Sequence, residues 1–345
     1  MQWFEKVQRA RWLQRLAPVV AFLKRYPGLI ALAGFVSGLA SFFLVERRES
    51  FAKVIAIVML LSWLWLVLEG LLRKSIKAWF GLSMPPIVLR YLTQLVHQES
   101  LFFILPFFWM STAWHSVQAL FTGTLIVAAL VSITDPLYYR VLAKKRWLYL
   151  AYHSLTLFAV LLTVLPILLK LSTAQSYQYA LIAAVLLSLP SLANLLHLSA
   201  WRQVLAIVAL ASILGVGGWS SRAWVPPAGL WLTEAALTTE LDNRQRKPGA
   251  SLTQISRAEL KAHGLYAYTA IKAPRGLNEK IVHLWRRERT VVDQIVLNIK
   301  GGREQGYRAW THKLNFPPKP EGQWRVDILT ESGQHLGSLR LTVTP

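Results

Sequence analysis

Six residues in the last fifth of the chain have the chemistry of a binding face. Tryptophan and tyrosine rings suit the faces of sugars, and arginine guanidinium groups suit phosphates and carboxylates. The set consists of His283, Trp285, Arg303, Tyr307, Arg308 and Trp310. These residue types predict recognition of a sugar, a phosphate or an acidic partner. The alternative is that the tryptophans fill the protein core and the arginines pack over them.

The segment that must position these residues, 226–345, has the pattern of an all-β domain. Short runs with a period of two alternate with turn residues such as Gly301-Gly302 and Ser332-Gly333. The predicted strands are Leu232–Glu240, Gly264–Ala273, Lys280–Arg287, Val291–Lys300, Tyr307–Phe316, Trp324–Thr330 and Leu336–Val343. About seven strands predict an antiparallel sandwich of immunoglobulin-like size. Ser251–His263 reads as a short helix or an irregular crossover.

Alternation along a strand decides which candidates share a face. Within 307–316, Arg308 and Trp310 lie on the face opposite Ala309. Within 280–287, His283 and Trp285 lie on one face as well. We therefore expect the candidates to group by strand face, but the alternation does not state which face of each strand points outward.

Signatures of catalysis are missing from the sequence. It has no H-E-x-x-H, no G-x-S-x-G and no glycine loop that would cradle a phosphate. Its eight histidines are scattered rather than clustered as metal ligands would be. The absence of cysteine excludes a disulfide framework and a cysteine nucleophile. The sequence thus gives no ground for an enzyme, and we expect no metal and no cofactor.

Apolar stretches dominate residues 27–220, and the whole chain is 54% apolar. A helix needs about 20 apolar residues to cross the hydrocarbon core of a bilayer. The stretch 101–133 is too long for one crossing and is split at Trp114-His115-Ser116. The predicted spans are Leu29–Val45, Val54–Leu72, Tyr91–Ala113, 117–133, Trp147–Leu169, Tyr179–Leu198 and Val204–Trp219. We therefore expect an α-helical membrane domain with about seven transmembrane helices.

The distribution of positive charge predicts the orientation of the chain, whose formal net charge is +21. Lysine and arginine concentrate in the segments 1–26, 73–90, 134–146 and 199–203. Because cytoplasmic loops are enriched in these residues, we expect a bacterial inner-membrane protein with a cytoplasmic N-terminus and a periplasmic domain at 226–345. Residues 1–26 read as a basic amphipathic segment on the cytoplasmic surface. This compartment argues against nucleic acid as a partner.

A few polar and small residues inside the apolar stretches stand out. Ionisable side chains are costly in hydrocarbon and often mark a site, which makes Glu99 and His153 candidates for a transport role. Packing or interfacial positions are the alternative for both. Gly34 and Gly38 form a G-x-x-x-G pattern that would permit close helix approach, either in a homodimer or within the chain.

The tail resembles a C-terminal domain of unknown function found in proteobacterial proteins. The resemblance covers most of residues 262–343 and rests on several short stretches. They are His283-Leu284-Trp285, Gly301-Gly302-Arg303, Gly306-Tyr307-Arg308-Ala309-Trp310-Thr311, Gly322-Gln323-Trp324-Arg325-Val326 and Gly333-Gln334-His335-Leu336-Gly337. The apolar part is similar to an uncharacterised inner-membrane family that precedes such tails. The resemblance implies an envelope location and a two-part architecture, and it implies no catalytic residues.

Two functions compete on these observations. The first is a membrane protein, embedded in the lipid bilayer, whose periplasmic sandwich binds an envelope glycan, an anionic lipid or a periplasmic protein. The second is a transporter or lipid-handling membrane protein with the sandwich as an accessory domain. The aromatic and basic strand face favours the first, and the number of predicted spans with internal prolines favours the second.

Overall fold

The computed structural model describes residues 18, 21, 32–40, 49–80, 86–193 and 199–345. The predicted amphipathic segment 1–26 and the outer parts of the predicted span Leu29–Val45 therefore lie outside the described residues, apart from the isolated positions. The chain divides into two compact units. One contains 1–106, 124–160 and 183–211, and the other contains 107–123, 161–182 and 212–345.

The first part of the chain is helical, as its apolar runs predict. Residues 32–40 are helical, and the described residues that follow contain six long helices. These are α1 (Glu49–Phe80), α2 (Pro86–Ser111), α3 (Gln118–Ile133), α4 (Arg146–Leu169), α5 (Thr173–Ala193) and α6 (Ala200–Ser220). The break between α2 and α3 confirms the predicted split at Trp114-His115-Ser116. A π-helical turn at Pro136–Leu142 follows α3 at a bend of 102°.

The number of membrane spans differs from the prediction of about seven. Two described helices, α4 and the Trp201–Ser220 part of α6, are long and apolar enough to cross a bilayer. A third is added if α3 and the π-helical turn form one broken span. The prediction of about seven spans is therefore wrong for the described residues, and α2 is not counted because polar and ionisable residues such as Arg90, His97 and Glu99 lower its hydropathy. The predicted span Tyr179–Leu198 extends beyond Ala193, the last described residue of α5, so its end lies outside the described residues.

The tail folds as the predicted β-sandwich. Its strands are β1 (Trp231–Thr238), β2 (Leu241–Asp242), β3 (Lys247–Pro248), β4 (Gln254–Ser256), β5 (Leu265–Lys272), β6 (Asn278–Arg287), β7 (Thr290–Lys300), β8 (Tyr307–Lys313), β9 (Gly322–Thr330) and β10 (His335–Thr344). One sheet has the order β1-β5-β8, the other has the order β4-β10-β9-β6-β7, and β2 and β3 form a separate hairpin. Antiparallel pairing joins all neighbours except β4, which runs parallel to β10. The seven long strands agree with the predicted ones.

The space between the two sheets is filled by apolar side chains from both. Trp285 and Trp324 lie there with Leu265 and Leu341, and they form one of two core clusters. Burial of this apolar area is the main stabilising contribution for a domain without disulfides. The short helix α7 (Arg257–His263) closes the same cluster through Leu260 and begins at Ser256, whose side chain accepts a hydrogen bond from the Glu259 amide. The helical alternative for Ser251–His263 is therefore confirmed for its second half.

Candidate functional site

Arg308, Trp310 and His312 lie on the outer face of β8, as alternation predicts. Their neighbours on β5 are set by the antiparallel register, in which Trp310 faces Tyr268 and His312 faces Tyr266. The rings of Tyr266 and His312 stack with centroids 3.8 Å apart and planes inclined by 6°. The outer face of the three-stranded sheet thus carries a patch of four aromatic rings on β5 and β8, which we call the aromatic face: Tyr266, Tyr268, Trp310 and His312.

The hairpin β2–β3 is joined to the three-stranded sheet beside the aromatic face. Arg308 donates hydrogen bonds to the carbonyl oxygen of Gln245 (2.7 Å) and to Oε1 of Gln305 (2.8 Å), and thereby fastens the hairpin to the sheet. Tyr268 is fully buried, and its hydroxyl donates to Glu234 (3.4 Å). Burial and the Glu234 carboxylate raise the pKa of Tyr268. Tyr268 and Arg308 are therefore occupied by contacts within the domain and hold the aromatic face in place.

The other members of the aromatic face can be reached from solvent. Trp310 and Tyr266 are half-buried, and His312 is exposed. His312 Nε2 lies 3.2 Å from the carbonyl oxygen of His263, at the end of α7. This accessible part offers flat ring surfaces beside polar groups, and it can take up a sugar ring or an aromatic side chain by stacking.

Arg303 and Tyr307 form a second pair at the beginning of β8. The guanidinium carbon of Arg303 lies 4.6 Å from the centre of the Tyr307 ring, which is a cation–π distance. Tyr307 is on the inner face of β8, where it packs against the apolar core. Arg303 is exposed, and the pair is therefore a rim of the sandwich rather than a part of the aromatic face.

His283 and Trp285 lie inside the sandwich and do not join Arg308 and Trp310 on the outer face. Both are completely buried. His283 lies between Thr269 Oγ1 and Thr311 Oγ1, at 3.2 Å from each, and this burial lowers its pKa to about 4. The alternative in which tryptophan fills the core therefore holds for Trp285. Of the six candidates, only Arg308 and Trp310 share the outer face of β8, because packing of β6 against the other sheet buries His283 and Trp285.

The helical candidates lie in the first compact unit and do not form one site. His153 Nδ1 lies 3.0 Å from His97 Nε2, and His97 Nδ1 lies 2.8 Å from the hydroxyl of Tyr138. The pair is surrounded by aromatic rings, among them Trp63 at 4.8 Å from His153. Glu99 is engaged elsewhere and accepts a hydrogen bond from Ser37 (2.7 Å). The polar side chains that lie within hydrogen-bond distance of one another are therefore His97, His153 and Tyr138.

Gly34 and Gly38 face α2 of the same chain. A Cβ atom at Gly38 would lie 2.7 Å from the Cβ of Phe102, and one at Gly34 would lie 3.1 Å from Gln98 Oε1. Close approach within the chain therefore accounts for the G-x-x-x-G pattern, the second alternative that the sequence left open. Among the described residues, no group of three or more histidine, aspartate or glutamate side chains could hold a metal ion.

Several residues of these sites were not singled out by their sequence pattern. Tyr266 and Tyr268 follow the period-two rule of their predicted strand, but only the β5–β8 register brings them beside Trp310. Tyr138 lies in the π-helical turn, 41 residues from His97. Periodicity indicates the faces of single elements, whereas these partners depend on which elements are neighbours.

Comparison with known proteins finds two uncharacterised families along the chain. Residues 9–267 match the model of the family of unknown function DUF5924, and residues 278–343 match that of the protein of unknown function DUF2914. No curated protein and no solved structure matches the chain. The expected two-part resemblance to uncharacterised families is confirmed, while a proteobacterial origin stays a prediction. Since the first match spans more than half of its residues, the protein belongs to the family of unknown function DUF5924, with a DUF2914 segment in its tail.

Proposed function

We propose that this protein is anchored in the bacterial inner membrane and that its periplasmic sandwich binds an envelope component or a partner protein through the aromatic face. Two long apolar helices support the membrane anchor. The apolar side chains of α6 are largely exposed, an arrangement that is favourable in lipid and costly in water. The concentration of lysine and arginine in 1–26, 73–90, 134–146 and 199–203 supports a periplasmic sandwich.

One observation carries the binding role. The accessible rings of the aromatic face form one patch on two strands, in which Tyr266 of β5 stacks on His312 of β8 and Trp310 lies two residues along β8 from His312. Aromatic residues that stay partly exposed on a folded domain are enriched at recognition sites, because they bury much apolar area with few rotatable bonds. An envelope glycan fits this face best, since sugar rings stack on aromatic rings while their hydroxyl groups reach polar neighbours.

The test measures binding of peptidoglycan fragments by the full chain in uncharged detergent micelles. Trp310→Ala removes the largest accessible ring, and we expect it to weaken binding by about tenfold, which is the usual effect of losing one aromatic anchor. The matched control is Trp224→Ala, which removes an exposed tryptophan from outside the aromatic face. Equal binding by the wild type and Trp310→Ala, or an equal loss in the control, would contradict the proposal.

The connected histidines support a second candidate function, transport or lipid handling by the helical part. His97 is completely buried and shares hydrogen bonds with two proton-carrying groups, His153 and Tyr138. Buried ionisable groups on apolar helices often mark a pathway for protons or substrates. We expect reconstituted protein to move protons or to exchange lipids between leaflets, and His153→Gln to abolish that activity. Vesicles in which the wild type does neither would remove this candidate.

A further inference from the structure

A row of arginines crosses the outer face of the five-stranded sheet. Arg286 on β6 is the register partner of Arg325 on β9, and Arg325 is the register partner of Arg340 on β10. Neighbouring strands lie about 4.8 Å apart, so the three guanidinium groups project from adjacent positions. Like charges directly opposite one another destabilise a sheet. Such a row therefore calls for a compensating anion.

One carboxylate of the protein lies within ion-pair distance of two members of this row. Asp327 is almost completely buried, and its oxygens lie 3.1 Å from Nε of Arg286 and 3.1 Å from Nε of Arg325. Ser338 also donates to Asp327 (2.6 Å), while His335 Nε2 lies 3.5 Å from the same oxygen. Burial raises the pKa of Asp327, but the hydrogen bonds from His335 and Ser338 and the charge of Arg325 lower it by more, so that the net pKa is below its ordinary value. The Asp327 carboxylate of the folded protein is thus charged near neutral pH.

The geometry leaves the forks of the guanidinium groups available. Asp327 is within ion-pair distance of the Nε atoms of Arg286 and Arg325, and the Nη atoms make no hydrogen bond to any residue that the structure describes. Arg340 is exposed and has no ion pair within the described part of the chain. Among the described residues, Arg286 and Arg325 therefore share one carboxylate and Arg340 has none, so the surface of the row carries unbalanced positive charge.

We propose that Arg286, Arg325 and Arg340 form a binding site for a phosphate group. Two arginine forks held side by side by a shared carboxylate can each donate two hydrogen bonds to one tetrahedral anion, and the third arginine supplies a further charge. A phosphate carries more charge and more acceptor oxygens than a carboxylate, so it balances the positive charge of this row better. The site lies on the sheet opposite to the aromatic face and does not rest on the proposed glycan binding.

The test measures how much radiolabelled pyrophosphate the full chain binds in uncharged maltoside micelles by equilibrium dialysis at constant ionic strength. Arg340→Gln removes a side chain that has no ion pair with a described residue, so the fold is retained, and we expect about tenfold weaker binding. Arg325→Gln/Arg340→Gln removes two of the three charges, and we expect a loss of about a hundredfold. The matched control Arg244→Gln/Arg246→Gln removes two charges from the exposed turn between β2 and β3 and should bind as the wild type does.

Competition then identifies the source of the phosphate. Phosphatidylglycerol added to the micelles should displace pyrophosphate if the site takes a lipid head group, and should leave it bound if the site takes a soluble phosphate. Either result supports the site and assigns its source. The proposal is overturned if the wild type binds pyrophosphate no better than acetate, if Arg340→Gln binds as the wild type does, or if the control loses as much as the double variant.

Discussion

Glu279, the second residue of β6, accepts a 2.7 Å hydrogen bond from the backbone amide of Thr173, the first residue of α5. The two residues are 106 positions apart in the chain. The first amides of a helix have no partner within it, and here a carboxylate of the sandwich supplies one. Two further contacts join the sandwich to the segment after α6, from Gln334 to the Val225 carbonyl oxygen and from Arg222 to the Ser332 carbonyl oxygen.

Two substitutions of Glu279 distinguish the contribution of its hydrogen bond to stability from the contribution of its charge. Burial raises the pKa of Glu279 more than the hydrogen bonds from Thr173 lower it, so the charged form is disfavoured in the folded state. Glu279→Gln keeps an acceptor without the charge, and we expect an unchanged or higher free energy of unfolding at pH 7. Glu279→Ala leaves the buried Thr173 amide unpaired and should lower it by about 1–3 kcal/mol. Urea unfolding of the full chain, followed by near-ultraviolet circular dichroism, distinguishes the two; equal effects of both variants would contradict the role of the acceptor.

His283 should make the sandwich less stable in mild acid. Its pKa in the folded protein is about 4, below the ordinary value of 6.5, because the ring is buried. The unfolded chain therefore binds a proton more readily in this window, and stability that is fully present above pH 6.5 is lost as the pH falls towards 4. The expected loss is roughly 3 kcal/mol across the window.

The check is the difference between the wild type and His283→Gln in unfolding free energy at several pH values from 7 to 4.5. The glutamine can still hydrogen-bond to Thr269 and Thr311 but does not titrate. We expect the variant to be less stable at pH 7 and to show a flatter pH dependence than the wild type. Parallel curves for the two proteins would show that His283 does not titrate in this window.

The turn between β6 and β7 contains a strained backbone conformation that a glycine would relieve. Glu288 has a φ of 53°, in the left-handed region that costs residues with a side chain about 1–2 kcal/mol. Its amide donates to the Gln323 carbonyl oxygen (2.8 Å), and glycine would keep that bond. We expect Glu288→Gly to raise the free energy of unfolding by about 1 kcal/mol. Arg289→Gly is the control, since Arg289 has no positive φ and the change should lower stability; a gain in the control or a loss in Glu288→Gly would refute the strain.

The family boundary and the folding boundary differ, which predicts the outcome of truncation. The DUF2914 match begins at residue 278 and contains β6 to β10, but β8 pairs within its sheet only with β5. A fragment 278–345 lacks β1 and β5 and would expose half of the core to water. We expect the fragment 226–345 to be folded and to give well-dispersed amide signals in nuclear magnetic resonance spectra. We expect the fragment 278–345 to be unfolded and to give amide signals in a narrow range. A folded shorter fragment would contradict this sheet order.

The positions of strands and helix breaks could be predicted from the sequence because they depend on neighbouring residues. The seven long strands follow from period-two runs between turn residues, and the break between α2 and α3 follows from the length of the apolar stretch 101–133. The composition of the aromatic face was only partly predictable. Arg308 and Trp310 share a face by alternation, but their neighbours Tyr266 and Tyr268 belong to another strand.

The tertiary structure alone decided which faces point inward and which distant residues meet. Both faces of β6 carry apolar side chains, such as Val282 on one and Trp285 on the other, so periodicity could not identify the buried face. Packing of the second sheet against β6 buries Trp285 and His283, and it turns the expected binding residues into core. The arginine row shows the same dependence on pairing. Each arginine is ordinary in its own strand, and only the register of three strands places their like charges side by side, two of them beside Asp327.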